Sequence, residues 1–179
     1  MSVKAAAYRH EKLIELLQRV NAVSGVSQQI WQTVQEIINP NERILSCYYQ
    51  LEMREEETEE GVEAFYSCEL VLITTGAFVT IEFFPKIQRY SLTKVYRISE
   101  IKVENRIFKE DAFGKSTEPV KGLAQPRQFN MWVKFQDEYG RDVFTWDIES
   151  TKPENVKNLI VIARTLNRFV GMPLETMQV

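Results

Sequence analysis

The 179-residue chain has room for one domain of ordinary size with a helical appendage. Apolar residues make up 44% of it and aromatic ones 11%, which supplies a core and excludes disorder along the whole length. A formal net charge of −3 excludes the basic excess that marks a general nucleic-acid binder.

The segment Met1 to His10 has no long apolar stretch, so no secretory signal is expected there, and no apolar run approaches a membrane span. The expectation is a cytoplasmic protein. Residues 4–38 then read as helix, rich in good helix formers such as Ala5, Ala6, Ala7, Leu13, Leu16 and Leu17. Leu13, Val20, Ser27 and Val34 form one heptad register, and Leu16, Val23, Ile30 and Ile37 the other, with only Ser27 polar. Asn39-Pro40-Asn41 stops the helix, because proline lacks the ladder N–H and restricts the residue before it. Two readings follow. One long helix could pair with a second copy along the seam Leu13, Leu16, Val20, Val23, Ile30, Val34 and Ile37. Alternatively Ser24-Gly25 divides the arm into two helices that pack on their own chain, which is the commoner fate of amphipathic helices and the favoured reading.

Short strands are expected from about Glu42 to Ile148. Ile44 to Met53 is rich in β-formers and runs into the acidic stretch Glu52 to Glu63, whose repelling charges predict a solvated loop or hairpin tip. A calcium site would need differently spaced ligands. Phe65 to Ile73 is almost continuously apolar, and Thr74-Thr75-Gly76 predicts a turn with Gly76 available for a positive φ. Ala77 to Phe84 returns as a strand that Pro85 ends. Arg89 to Ile98 alternates, and so does Ile101 to Phe108, with Ile101, Val103 and Ile107 on one face and Lys102, Glu104 and Arg106 on the other. Residues 109–127 form the longest irregular connection, a length usually tied to function or mobility. Phe129 to Phe135 and Asp142 to Ile148 then make a hairpin across Asp137-Glu138-Tyr139-Gly140, with Met131, Val133 and Phe135 inward against Phe144, Trp146 and Ile148. The closing helix spans Pro153 to Val170. Thr151 and Glu154 fit a capping box, Val156, Leu159, Ile160, Ala163, Leu166 and Val170 recur at helical spacing, and Gly171 and Pro173 terminate it. Lys157, Arg164 and Arg168 take its opposite face.

Catalytic and metal chemistry is sparse. The chain has one histidine, His10, which reads as a solvated helix residue rather than a triad member or ligand. Cys47 and Cys68 lack zinc-site spacing and read as buried free thiols, a cross-strand disulfide being the alternative. Gly114-Lys115-Ser116-Thr117 matches the end of a phosphate-binding loop, but Lys109 stands where the first glycine belongs. The pairs Asp137 with Glu138 and Asp147 with Glu149 do not flank a cleft in the way hydrolysis needs. No catalytic residue, cofactor or metal is therefore assigned.

The stretch Tyr66 to Phe78, an apolar strand ending in Leu72-Ile73-Thr74, a turn at Thr75-Gly76 and a returning aromatic strand, resembles the strand–turn–strand of GRAM and bacterial PH-like domains. Arg97-Ile98-Ser99-Glu100-Ile101-Lys102-Val103 resembles the segment that follows in those families. The resemblance covers residues 42–170. It implies an α+β fold, a curled antiparallel sheet or barrel of about seven strands closed by a C-terminal amphipathic helix. The chain then divides into a helical arm, residues 1–39, and a PH-like domain, residues 42–179. The resemblance also implies a binding module without catalytic residues. Some relatives hold phosphoinositides on basic residues between the first two strands, but here that connection is the Glu55–Glu60 run, which repels phosphate. Others take a peptide between a sheet edge and the closing helix.

Three functional readings result. The first is a non-catalytic protein–protein interaction module that self-associates through the arm or binds another protein. The second is a binder of membrane surfaces or other anionic ligands through Lys86, Arg89, Lys94, Arg97, Lys102 and Arg106, interleaved with Tyr90 and Tyr96. Its plain alternative is an ordinary solvated sheet face balanced by Glu82, Glu100, Glu104 and Glu110. The third is an enzyme with an atypical carboxylate or tyrosine site.

Overall fold

The computed structural model describes residues 10–20, 26–58, 61–84, 87–107 and 127–176. The chain begins with helices α1 (Glu11–Val20) and α2 (Val26–Ile37). Four strands follow, β1 (Ile44–Thr58), β2 (Gly61–Thr74), β3 (Ala77–Phe83) and β4 (Gln88–Lys94). Then come β5 (Arg97–Ile107), β6 (Arg127–Gln136), β7 (Asp142–Ser150) and the helix α3 (Pro153–Asn167).

The strands make two antiparallel sheets, β1-β2-β3-β4 and β5-β6-β7. This is an α+β architecture, but the sheet is not one curled sheet closed into a barrel. The chain changes sheet at Val95-Tyr96: the Val95 amide still bonds to Gly76 of the first sheet, and the Tyr96 amide already bonds to Gln136 of the second. Arg89 to Ile98, expected as one alternating strand, is thus β4 and the start of β5.

Two apolar cores lie on opposite faces of the four-stranded sheet. Between the sheets and α3, Phe78 packs against Phe135, Phe144 and Trp146, with centroids 5.5, 4.6 and 5.7 Å away. Leu159, Ile162 and Leu166 of α3 close this core. On the outer face, Leu13, Leu16 and Val20 of α1 and Ile30 and Val34 of α2 pack on Leu70, Leu72, Val79 and Ile81. Strands β2 and β3 are therefore covered on both faces, which is why Phe65 to Ile73 reads as a continuous apolar run rather than an alternating one.

The two-helix reading of the arm holds, since α1 and α2 touch each other as well as the sheet. The seam residues Leu13, Leu16, Val20, Ile30 and Val34 are all 0% exposed inside the chain's own core, and Ile37 is half-buried beside it. They are already covered, so the coiled-coil seam to a second copy is corrected. Val23 and the Ser24-Gly25 break lie outside the described residues. Tyr49 ties α1 to β1 as well, its hydroxyl donating to Glu15 at 2.7 Å and accepting from Arg19 at 3.1 Å.

Local expectations fared unevenly. Of the two expectations for the acidic stretch, the hairpin end holds and the loop does not: Glu55, Glu56 and Glu57 sit within β1, paired with Ala64, Glu63 and Val62, up to the last pair Thr58 and Gly61. Gly76 does not adopt a positive φ. A Cβ there would lie 2.9 Å from the Glu42 carboxylate, which accepts the Thr74 hydroxyl, so a side chain would require the Glu42 side chain to shift. The capping box at Thr151 does not form. Lys152 is the N-cap without a side-chain bond, Pro153 sets the first turn, and the Ser150 hydroxyl accepts the Lys152 amide.

Candidate interaction site at the β4 edge

The basic residues proposed as one face are not brought together. Cross-strand partners share a face, and Arg89 lies opposite Glu82 while Lys94 lies opposite Ala77. Five residues apart in a strand, Arg89 and Lys94 point to opposite sides of the four-stranded sheet. Arg97 starts β5, with its guanidinium over the Tyr96 ring at 5.5 Å. Lys102 stacks over Trp132 at 5.4 Å, and Arg106 pairs with Glu104 at 3.1 Å, both on the outer face of the three-stranded sheet. Lys86 lies outside the described residues, as does the 109–126 connection with its phosphate-loop-like residues.

The groove beside α3 is partly occupied by the chain itself. After α3, Gly171 turns with φ +83°, and the Gly171 amide bonds to the Ile98 carbonyl at 2.8 Å. The Leu174 amide then bonds to the Tyr96 carbonyl, and the fully buried Leu174 fills that end of the groove.

A 260 Å³ cleft on the inner face of the first sheet holds Glu52, Glu69 and Glu82. Burial holds the Glu69 carboxyl above its usual range, and the neighbouring Glu82 and Glu52 push it further. Glu69 and Glu82 are directly paired across β2 and β3. Cys68 also lines this cleft, but burial pushes its thiol up to about 12, so it is not poised as a nucleophile. Cys47 is raised by burial too. Cys47 pairs with Leu72 and Cys68 with Leu51, so the two sulfurs are offset along the hairpin and both are free.

The most open element is β4. It is an edge strand, and all its residues but Thr93 are exposed. Its hydrogen-bond phase is fixed at both ends. The Phe84 amide bonds to the Ile87 carbonyl, and the Val95 amide bonds to the Gly76 carbonyl. Antiparallel ladders alternate, so Arg89, Ser91 and Thr93 exchange bonds with β3. The amide and carbonyl groups of Gln88, Tyr90, Leu92 and Lys94 therefore point away from β3, and among the described residues no strand meets them.

The same alternation sends the side chains of Gln88, Tyr90, Leu92 and Lys94 to the face that carries α2. Helix α2 packs its Ile30 and Val34 into the core on this face and leaves open space between itself and β4. Two adjoining clefts of 320 and 490 Å³ run between them, lined by Thr33, Glu36, Gln88, Tyr90 and Leu92 among others. Gln88 bridges them by donating to the Thr33 hydroxyl. Tyr90 and Leu92 remain 63% and 44% exposed, an apolar pair along an edge that no strand meets among the described residues.

Sequence reasoning missed this site. The mixture of Gln88, Arg89, Ser91, Thr93 and Lys94 with only Tyr90 and Leu92 apolar was the available signal, since such mixtures suit an edge strand. No family model, no curated protein and no solved structure matches the chain.

Proposed function

We propose that the chain is a non-catalytic protein-interaction module of PH-like architecture that binds an extended segment of a protein by strand addition at β4. The observation that carries this reading is the edge itself: outward backbone groups on four alternate residues, beside the apolar pair Tyr90 and Leu92 and a cleft. Main-chain bonds to such an edge give affinity, and the cleft selects alternate side chains. The PH-like part is supported by the pairing of a four-stranded with a three-stranded antiparallel sheet around one closing helix. The anionic-ligand reading lacks comparable support, because its basic residues are dispersed over different faces.

The test is selection from a displayed library of random linear peptides. Leu92→Pro removes one outward amide and leaves the β3 ladder intact, since proline is tolerated on an edge. Selected peptides should bind Leu92→Pro at least about tenfold more weakly, a loss of about 1.4 kcal/mol. Recovery of no binder, or of binders indifferent to both Leu92→Pro and Tyr90→Asp, would overturn the proposal.

A further inference from the structure

We infer that the strand accepted by β4 is the β4 strand of a second copy of this chain, an inference that rests on strand addition at that edge. Two antiparallel strands related by a two-fold axis perpendicular to the sheet keep their faces. Each residue must then pair with one of the same parity, and the outward groups of Gln88, Tyr90, Leu92 and Lys94 meet their own kind.

Centring the axis on Ser91 overlaps the whole of β4. Tyr90 then faces the partner's Leu92, and Leu92 faces the partner's Tyr90, an aromatic–aliphatic pair made twice. Gln88 faces the partner's Lys94. Glu36 lines both clefts beside Gln88, so each copy offers a carboxylate where the other delivers an ammonium.

Charged edge residues normally block such pairing. Here they do not oppose one another. Arg89 faces the partner's Thr93 and keeps Glu82 across β3. A charged foreign peptide would need its own match to Lys94 and Glu36, whereas the second copy supplies both signs at the required places.

Three measurements test this together. Sedimentation of the wild type across a concentration series should show a monomer–dimer equilibrium, and Leu92→Pro should remain monomeric while keeping its circular dichroism. Lys94→Glu should weaken the dimer at least about tenfold, and Lys94→Glu with Glu36→Lys should restore it. Ser91→Cys should form an intermolecular disulfide, because a non-hydrogen-bonded pair sits about 4.5 Å apart at Cα, within disulfide range. Thr93→Cys should not, being roughly 13 Å from its counterpart. The native cysteines are buried and do not interfere.

A wild type that stays monomeric at every concentration overturns the second-copy inference. So does a dimer that survives Leu92→Pro, or one in which Ser91→Cys crosslinks no faster than Thr93→Cys. Strand addition at β4 stands or falls separately, on whether library-selected peptides are lost with Leu92→Pro.

Discussion

His10 has a defined job that its sequence position concealed. Its Nδ1 accepts the Lys12 amide at 3.2 Å, which makes the imidazole the N-terminal cap of α1, and the ring also bonds to the Leu45 backbone. An acceptor nitrogen must be unprotonated. Burial holds the His10 pKa below its ordinary 6.5, and of its charged neighbours Glu11 opposes this while Lys12 adds to it. The group's stabilising contribution is therefore complete above pH 6.5 and is lost as pH falls through its lowered folded value. In denaturant melts, the wild type should lose stability over this range relative to His10→Asn, which keeps a capping oxygen without a titration. Parallel pH profiles for the two proteins would refute the assignment. The Thr74 hydroxyl is a second small hub, accepting the Gly76 and Ala77 amides at 3.3 and 2.9 Å. Thr74→Val strands these donors and should cost about 1–3 kcal/mol, whereas an unchanged melting curve would mean the turn re-satisfies itself. Cys47 and Cys68 should resist aqueous thiol reagents until denaturant is added, and rapid labelling of the native protein would contradict their burial.

Among the elements, the described helices of the arm, α1 and α2, pack on the strands. They form the outer layer of the sheet. Leu16→Ala should cost about 2–5 kcal/mol, the range for a fully buried leucine, and a near-neutral result would place α1 off the sheet. A variant lacking residues 1–39 would bare Leu70, Leu72, Val79 and Ile81. It should bind hydrophobic dye and aggregate, whereas a soluble folded fragment would contradict the two-core arrangement. Elements defined by local chemistry were legible: the Asp137–Gly140 hairpin, the inward set Met131, Val133 and Phe135, and the apolar stripe of α3. The strand switch at Val95-Tyr96 was not, because alternation continues across it while the hydrogen bonds change sheets. Nor was the N-cap of α3, which falls at Lys152, without a capping side chain, rather than at Thr151.

At the scale of the whole molecule, pairing partners are what a single sequence conceals most. Arg89 and Lys94 could have been placed on opposite faces from their spacing alone, which already divides the supposed basic face. That β4 is last in its sheet depends on β5 turning away to pair with β6, a contact invisible in local pattern. Both cores are closed by helices, and no described helix is long and apolar enough to cross a membrane. Among the described edge strands, β4 is the most exposed and has a cleft beside it.

Residue-resolved amide exchange along β4 tests that claim most directly. In dilute protein, Arg89, Ser91 and Thr93 should be protected by β3, and Gln88, Tyr90, Leu92 and Lys94 should exchange freely. Raising the protein concentration, or adding a selected peptide, should protect the second set and leave the first unchanged. If the second set stays unprotected under both conditions, or is already protected in dilute protein, β4 is not an edge that receives a strand.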